Sequence, residues 1–159
     1  MKIVVQSEDF DISAELAAMR NREIGALVSF VGTVREAVAA RVEASGANPG
    51  ITHLELEHYP GMTEKSLFAI AQQAIARWQL NDVVIIHRVG KLAVCDQIVL
   101  VAVASRHRGS AFEACEFIMD YLKIEAPFWK KEIGHHDARW VDARSSDLTA
   151  LQRWRKDPQ

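Results

Sequence analysis

The sequence lacks the features that mark several specialised classes of protein. It has only two cysteines, Cys95 and Cys115, without metal-ligand spacing, so we expect reduced thiols in a cytoplasmic protein. No run approaches the roughly 18 apolar residues of a membrane span, and the N-terminal stretch MKIVVQSEDFD has too few consecutive apolar residues for a signal peptide. The net charge of −2 excludes a global attraction to nucleic acid or to an anionic membrane.

Two further absences concern cofactors. Gly32 stands alone in its strand, so the sequence has neither a glycine loop for phosphates nor a dinucleotide fingerprint. None of the six histidines has a recognised metal-ligand spacing. We interpret His87 as structural and the pair His135-His136 as an exposed turn. We therefore expect no metal and no nucleotide cofactor.

The composition that remains is that of an ordinary globular protein, with 49% apolar and 25% charged residues. A chain of 159 residues can bury roughly two-thirds of its unfolded surface, which is enough for a core without cross-links. We assign residues 1–150 to a single domain and residues 151–159 to a C-terminal tail.

Hydrophobic periodicity predicts a mixture of strands and helices. The strand patterns cover residues 3–5, 25–34, 52–58, 82–89, 97–105 and 140–141, and the second of these is apolar and β-branched enough to predict a largely buried strand. The small, polar residues 36–50 end in Asn-Pro-Gly and predict a flexible loop.

Helical patterns cover residues 9–20, 63–78 and 110–124. Their predicted N-caps are Ser13, Thr63 and Ser110, the last in a capping box with Glu113. Cys115 lies on the apolar face of the third helix and is interpreted as a core thiol. Because strands and helices alternate without a regular β-α-β rhythm, we expect an α+β fold with a mostly antiparallel sheet and packed helices.

Cationic side chains stand where apolar elements end. Arg35 closes one strand, and the run Arg106-His107-Arg108 closes another just before the third helix. Free N–H groups and the helix dipole favour anions at such a position. Lys123 falls at the border of the apolar face of that helix.

The stretch DYLKIEAPFWKKE, residues 120–132, gathers lysines and aromatic residues around one proline. Pro127 disfavours helix at the residue before it, so the helix should end near residue 124. The segment that follows can then fold back and bring Lys130 toward Lys123, with Phe128 and Trp129 as walls or as packing beneath. This pattern predicts a phosphorylated or otherwise anionic ligand handled by acid–base or charge-stabilising lysines.

Several stretches together resemble one family, the large, catalytic subunit of molybdopterin synthase (the MoaE family). They are ELEHYPGMTEK, IHRVG, SRHRGSAFEA, FIMDYLKIEAPFWKKE and RWVDARSSD, which lie between residues 55 and 147. The resemblance implies an α/β hammerhead-type fold and a sulfurtransferase that converts cyclic pyranopterin monophosphate to the molybdopterin dithiolene. It implies neither metal nor nucleotide in this step.

The resemblance also implies partners. The sulfur would come from the C-terminal Gly-Gly thiocarboxylate of a small ubiquitin-like sulfur-carrier subunit, and two large subunits would form a homodimer within a heterotetramer. By position, the catalytic residues of the family fall on Lys123 and Lys130. The substrate-binding residues fall on Thr33, Val34, Arg35, His107, Arg108, Lys131 and Glu132.

Two other functions fit part of the pattern. A nucleic-acid-binding module could use Arg106, Arg108, Lys130 and Lys131 with Phe128 and Trp129 as stacking groups, although the near-neutral net charge argues against it. A non-catalytic scaffold could bind the ubiquitin-like partner, although the presence of both Lys123 and Lys130 argues against an inactive subunit.

Overall fold

The computed structural model describes residues 1–35, 52–134, 138–141, 150 and 152–154. The predicted 36–50 loop, the His135-His136 turn and most of the predicted tail lie outside these residues. The described elements are β1 (Lys2–Gln6), α1 (Ile12–Ala18), β2 (Ala26–Thr33), β3 (His53–His58), α2 (Met62–Trp78), β4 (Asp82–Arg88), β5 (Gly90–Ala93), β6 (Gln97–Ser105), α3 (Arg108–Glu125), β7 (Phe128–Ile133) and β8 (Ala138–Val141).

The described strands form two four-stranded sheets. The first has the order β1-β4-β6-β2, in which β1 and β4 pair parallel and the other neighbours pair antiparallel. The second has the order β5-β3-β7-β8 and is antiparallel throughout. The predicted α+β class with mostly antiparallel sheets is confirmed.

The main core lies between the first sheet and the two long helices. Strand residues with alternating numbers, such as Val83, Ile85, Val101 and Val103, face α2 and α3, because successive strand side chains point to opposite sides. The intervening residues, such as Val84, Ile86, Leu100 and Ala102, pack with Phe10 and Met19 around α1. Both faces of the central strands are therefore covered, which explains their nearly continuous apolar sequence. No described helix is long and apolar enough to cross a membrane.

The predicted caps of the first two helices are wrong. At α1 the carboxylate of Asp11, not Ser13, accepts the N–H of Ala14 at 3.0 Å. At α2 the N-cap is Gly61, whose N–H is accepted by the carboxylate of Glu64 at 2.6 Å.

Thr63 lies inside the first turn of α2 and is fully buried. Its hydroxyl accepts the N–H of Tyr59 at 3.1 Å. It can donate to the carbonyl oxygen of Tyr59 at 3.0 Å or to that of Pro127 at 3.3 Å. Thr63 thus joins the turn before α2 to the proline before β7, a long-range role that local sequence does not reveal.

The third predicted cap is also wrong. Helix α3 begins two residues earlier than predicted, at Arg108, with His107 as its N-cap and no side-chain cap. Ser110 lies within the first turn, and Glu113 instead accepts the indole N–H of Trp78 at 2.9 Å. The predicted end of the helix is accurate to one residue, because Ala126 adopts the extended conformation required before proline.

Strand β2 is not the largely buried strand that its apolar sequence predicts. It is the edge strand of the first sheet, its residues range from partly buried to exposed, and Phe30 is 41% exposed. Composition measures how apolar a strand is but not whether a neighbour covers it. The short strand β5 was not predicted, whereas the strand at Trp140-Val141 is confirmed as part of β8.

Candidate active site

A groove of about 420 Å³ runs between the edge strand β2 and helix α3. Lys123, in the last turn of α3, lines it at the helix C-terminus, where the helix dipole favours a positive charge. The other lining residues are Val28, Ser29, Phe30, Phe112, Cys115, Glu116, Met119 and Asp120. A candidate catalytic lysine therefore borders a partly apolar groove.

Sequence reasoning missed the apolar part of this groove. Phe30 and Phe112 are 41% and 62% exposed, although both are large apolar residues. On the helical wheel of α3, Phe112 and Met119 lie near the border of the apolar face, on the same side of the helix as Lys123. That border position is the sequence signal for Phe112 and Met119, whereas Phe30 has none because its apolar surroundings in the sequence predict a buried strand.

The residue after the end of β2, Val34, packs against the second sheet. Thr33 and Arg35 are exposed, whereas the intervening Val34 is 4% exposed and packs against Leu54 and Leu56. These two leucines lie on β3 directly opposite residues 132 and 130 of β7. Directly opposed residues share a face of a sheet, so Val34 packs against the face that carries those two β7 side chains.

The residues on that face of β7 are Lys130 and Glu132, and they interact. The Lys130 Nζ lies 3.7 Å from one carboxylate oxygen of Glu132. The other oxygen accepts hydrogen bonds from Nε and Nη2 of Arg139 on β8, at 3.1 and 2.9 Å. The side chain of Glu132 is only 11% exposed, so both cations help to compensate its burial. Arg139 is a member of this cluster that the sequence analysis did not select.

Lys131 is separated from its two neighbours by the pleat of the strand. It points to the opposite face of the second sheet, where its Nζ lies 3.9 Å from a Glu55 oxygen and 5.5 Å from the ring centre of Trp140. The three consecutive residues of β7 therefore serve two different surfaces.

His107 and Arg108 lie at the other end of α3 from Lys123. Fifteen residues of helix separate Arg108 from Lys123, a distance of roughly 22 Å at 1.5 Å per residue. Because α3 runs alongside β2 in the same direction, Lys123 lies toward the Thr33 end of β2 and His107 toward its Ala26 end. Within one copy of the chain, Lys123 therefore lies near the end of β2 that precedes Arg35, whereas His107 and Arg108 lie near its other end.

Phe128 anchors the beginning of β7. Its ring stacks on His87 with the ring centres 3.8 Å apart and an angle of 16°. His87 is 5% exposed, and its Nδ1 lies 2.8 Å from the carbonyl oxygen of Arg88, as a donor in the neutral ring. Desolvation lowers the pKa of His87 to about 4. The structural interpretation of His87 is confirmed, and Phe128 packs beneath the strand instead of facing a ligand.

In the described part of the chain, no group of three or more His, Cys, Asp or Glu residues could hold a metal ion. The fold and the site together define an α+β protein with a lysine-bordered groove beside an edge strand, and with a second cationic cluster on a neighbouring sheet.

Comparisons with known proteins identify the family. The family model described as MoaE protein matches residues 5–125. A molybdopterin synthase catalytic subunit from Ralstonia nicotianae is 59% identical over 154 residues, which cover 96% of this chain and 83% of the relative. The chain belongs to the MoaE protein family.

Solved structures agree with this assignment. A molybdopterin biosynthesis MoaE protein from Burkholderia ambifaria is 55% identical with a TM-score of 0.78, covering 96% of this chain and 97% of the other. A molybdopterin synthase from Staphylococcus aureus is 32% identical with a TM-score of 0.76, covering 87% of this chain and 95% of the other.

Proposed function

We propose that this chain is the catalytic subunit of a cytoplasmic molybdopterin synthase. It transfers sulfur from the C-terminal thiocarboxylate of a small ubiquitin-like subunit to cyclic pyranopterin monophosphate and so forms the molybdopterin dithiolene. The observation that carries this proposal is the position of Lys123 at a groove whose wall is a sheet edge.

The groove suits the extended tail of a protein partner. Among the described strands, β2 pairs only with β6, so its outer backbone N–H and C=O groups can hydrogen-bond to an added extended segment. A Gly-Gly terminus has no side chains and can pass between Phe30 and Met119. It would deliver its thiocarboxylate to Lys123 in a partly apolar setting, where charge–charge interactions are stronger than in water.

The lysines divide the chemistry. Attack by sulfur, loss of oxygen as water and opening of the cyclic phosphate each develop negative charge or need a proton. Lys123 polarises the thiocarboxylate carbonyl or transfers a proton, while Lys130, held by Glu132, assists and binds substrate. Thr33 and Arg35 supply the substrate contacts at the end of β2, whereas Val34, whose side chain is buried and whose backbone N–H and C=O pair with Asp96 and Cys95, holds the two in position. Lys131 contributes from the opposite face of its sheet.

A second copy of the chain completes the site. His107 and Arg108 are candidate residues for binding the substrate phosphate and pterin, yet they lie roughly 22 Å from Lys123 along α3. A homodimer removes this difficulty if α3 of one copy places its N-terminal end near the C-terminal end of α3 in the other. Each site would then use residues of both copies.

The decisive assay mixes the protein with thiocarboxylated small subunit and cyclic pyranopterin monophosphate and measures molybdopterin. Absence of product with the wild-type protein would refute the proposed function. Lys123→Ala should lower kcat by at least ~100-fold, the usual contribution of a general acid or base. The variant should remain folded, because a charge in the last turn of a helix contributes only about 1 kcal/mol or less. Lys2→Ala, which removes an exposed lysine on β1 at the far edge of the first sheet, is the matched control and should keep full activity.

The shared site has its own test. Arg108→Ala should raise KM for the pterin more than it lowers kcat. Mixed dimers of Lys123→Ala and Arg108→Ala chains contain one intact site if the two residues come from different copies, so random mixing should restore about a quarter of wild-type activity when the pterin concentration is well below the raised KM of the Arg108→Ala sites. Failure to restore activity would place both residues in a site formed by one copy.

Nucleic-acid binding is less well supported by the geometry. One of its two proposed stacking rings, Phe128, is stacked on His87, and Lys131 and Lys130 lie on opposite faces of their sheet. A salt-dependent affinity for single strands would revive this alternative.

A further inference from the structure

The segment at Arg153 and Trp154 docks on the outer surface of α3. One Arg153 nitrogen, Nη2, lies 2.6 Å from an oxygen of Glu116 and 2.7 Å from Oδ2 of Asp120. The indole N–H of Trp154 donates to the same Asp120 oxygen at 2.7 Å. Three short polar contacts therefore join these two residues to two carboxylates that lie one turn apart on the helix.

Ring packing keeps the segment in place. The indole of Trp154 meets the rings of Trp78 and Phe117 edge-on, at centre distances of 5.8 and 5.5 Å. The Arg77 guanidinium lies 5.6 Å from the Trp154 ring centre, and its Nη1 donates to the Trp154 carbonyl oxygen at 3.2 Å. Because both α2 and α3 contribute contacts, the position of Arg153 is set by the fold.

The two carboxylates that Arg153 pairs with belong to the groove. Glu116 and Asp120 line it together with Lys123. Taken alone, this part of the lining carries two negative charges and one positive charge, which would oppose an anionic ligand. Arg153 balances that sum without being among the lining residues.

We propose that Arg153 is a positioning residue that pairs with Glu116 and Asp120 and, together with Lys123, balances their two negative charges, so that the groove accepts an anionic group beside Lys123. The inference rests on the proposed function, which supplies two such groups: the phosphate of the pterin and the terminal (thio)carboxylate of the small subunit. It adds a role for the Arg153–Trp154 segment in ligand affinity.

The test compares three variants. Arg153→Gln removes the balancing charge. The triple variant Arg153→Gln/Glu116→Gln/Asp120→Asn removes the arginine together with both acids. Lys2→Gln is the matched control. Lys2 lies on β1, at the opposite edge of the first sheet from β2, and forms a surface ion pair with Glu15 of α1. Thermal melts of all variants establish that they are folded.

Two measurements are made on each variant. Steady-state assays give kcat and a separate KM for cyclic pyranopterin monophosphate and for the thiocarboxylated small subunit. Calorimetric titration with unmodified small subunit, whose Gly-Gly terminus is a plain carboxylate, gives a Kd that does not depend on turnover. If the wild-type protein binds this subunit but makes no product, the proposed function fails while the charge-balance test still stands.

Arg153→Gln should weaken binding of at least one anionic ligand by about five- to tenfold, as expected for the loss of one partly screened positive charge near the ligand, with kcat changed less than KM. A higher KM for the pterin would place its phosphate in this part of the groove, whereas a higher KM for the small subunit would place its terminal carboxylate there. The triple variant keeps Lys123 alone of these four charges, a net charge of +1 against 0 in wild type, so it should bind the anionic ligand at least as tightly as wild type. Unchanged affinity in Arg153→Gln, or a triple variant as weak as Arg153→Gln, would overturn the proposal.

Discussion

The burial of His87 predicts a specific loss of stability in mild acid. In the folded protein the ring is 5% exposed and stacked on Phe128, and desolvation lowers its pKa from 6.5 to about 4. The proximity of His58 lowers the pKa further, while the hydrogen bond to the Arg88 carbonyl opposes the shift. In the unfolded chain the ring binds a proton at its ordinary pKa. The unfolded state therefore binds more protons between these two values, and stability falls as the pH falls through that window.

The size of this loss follows from the two pKa values. A shift of one unit corresponds to about 1.4 kcal/mol, so the full difference is about 3.5 kcal/mol, and lowering the pH from 7 to 4.5 should remove about 2 to 3 kcal/mol of it. A loss of this size is a large fraction of the free energy of unfolding, which is about 5 to 15 kcal/mol for a typical domain.

Urea unfolding followed by tryptophan fluorescence at pH 7 and pH 4.5 measures the effect. Carboxylates also titrate in this range, so the informative quantity is the difference between the wild-type protein and His87→Phe, which keeps the stacked ring but cannot be protonated. His87→Phe should lose about 2 to 3 kcal/mol less than wild type over the same pH change. A replacement of the partly exposed His53 by Gln should behave as wild type. An equal pH dependence in His87→Phe and wild type would refute the reasoning.

Three other outcomes follow from local geometry. A Cβ at Gly25 would lie 2.3 Å from the Arg106 carbonyl oxygen. Gly25→Ala should therefore lower the free energy of unfolding in urea by at least ~2 kcal/mol. A change near zero would mean that the backbone segments at residues 25 and 106 can move apart. Thr63→Val removes the fully buried hydroxyl that accepts the N–H of Tyr59 and can donate to the Tyr59 or Pro127 carbonyl oxygen, and it should cost about 1 to 3 kcal/mol. Thr63→Ser should cost less, and equal costs would show that the hydroxyl is unimportant. Burial raises the pKa of the Cys115 thiol to about 11. Iodoacetamide at pH 8 should therefore modify one cysteine per chain in the native protein and two in urea. Rapid modification of both cysteines in the native protein would contradict the burial of Cys115.

The sequence specified the third helix and the segment after it in most respects. The proline rule located the end of α3 to within one residue, because the steric restriction before proline is local and needs no tertiary context. The helical periodicity of α3 predicted that Cys115 faces the core, and the structure confirms that it is buried. The predicted caps at Ser13 and Thr63 failed because a competing group, the Asp11 carboxylate or the turn around Tyr59, decided where each helix begins. The predicted cap at Ser110 failed because α3 begins earlier, at Arg108, without a side-chain cap.

The candidate site was only partly accessible to sequence reasoning. Lys123 and Lys130 were selected because each stands beside an apolar element, and one lines the groove while the other pairs with Glu132. Arg139 was not selected, because its contact with Glu132 depends on the register of β7 and β8. Phe30 was misjudged because an edge strand and a central strand can have the same composition.

The sequence by itself determined the class of fold, most of the strands and helices, and the types of side chain available for binding an anion. These properties depend on periodicity and on steric rules that act over a few residues. The tertiary structure decided which side chains share a surface. It separated Lys131 from Lys130, placed Arg108 at the far end of α3 from Lys123, and brought Arg153 to the two acids beside the groove. Those outcomes depend on sheet order, strand register and helix direction, which are set by packing between segments distant in the chain.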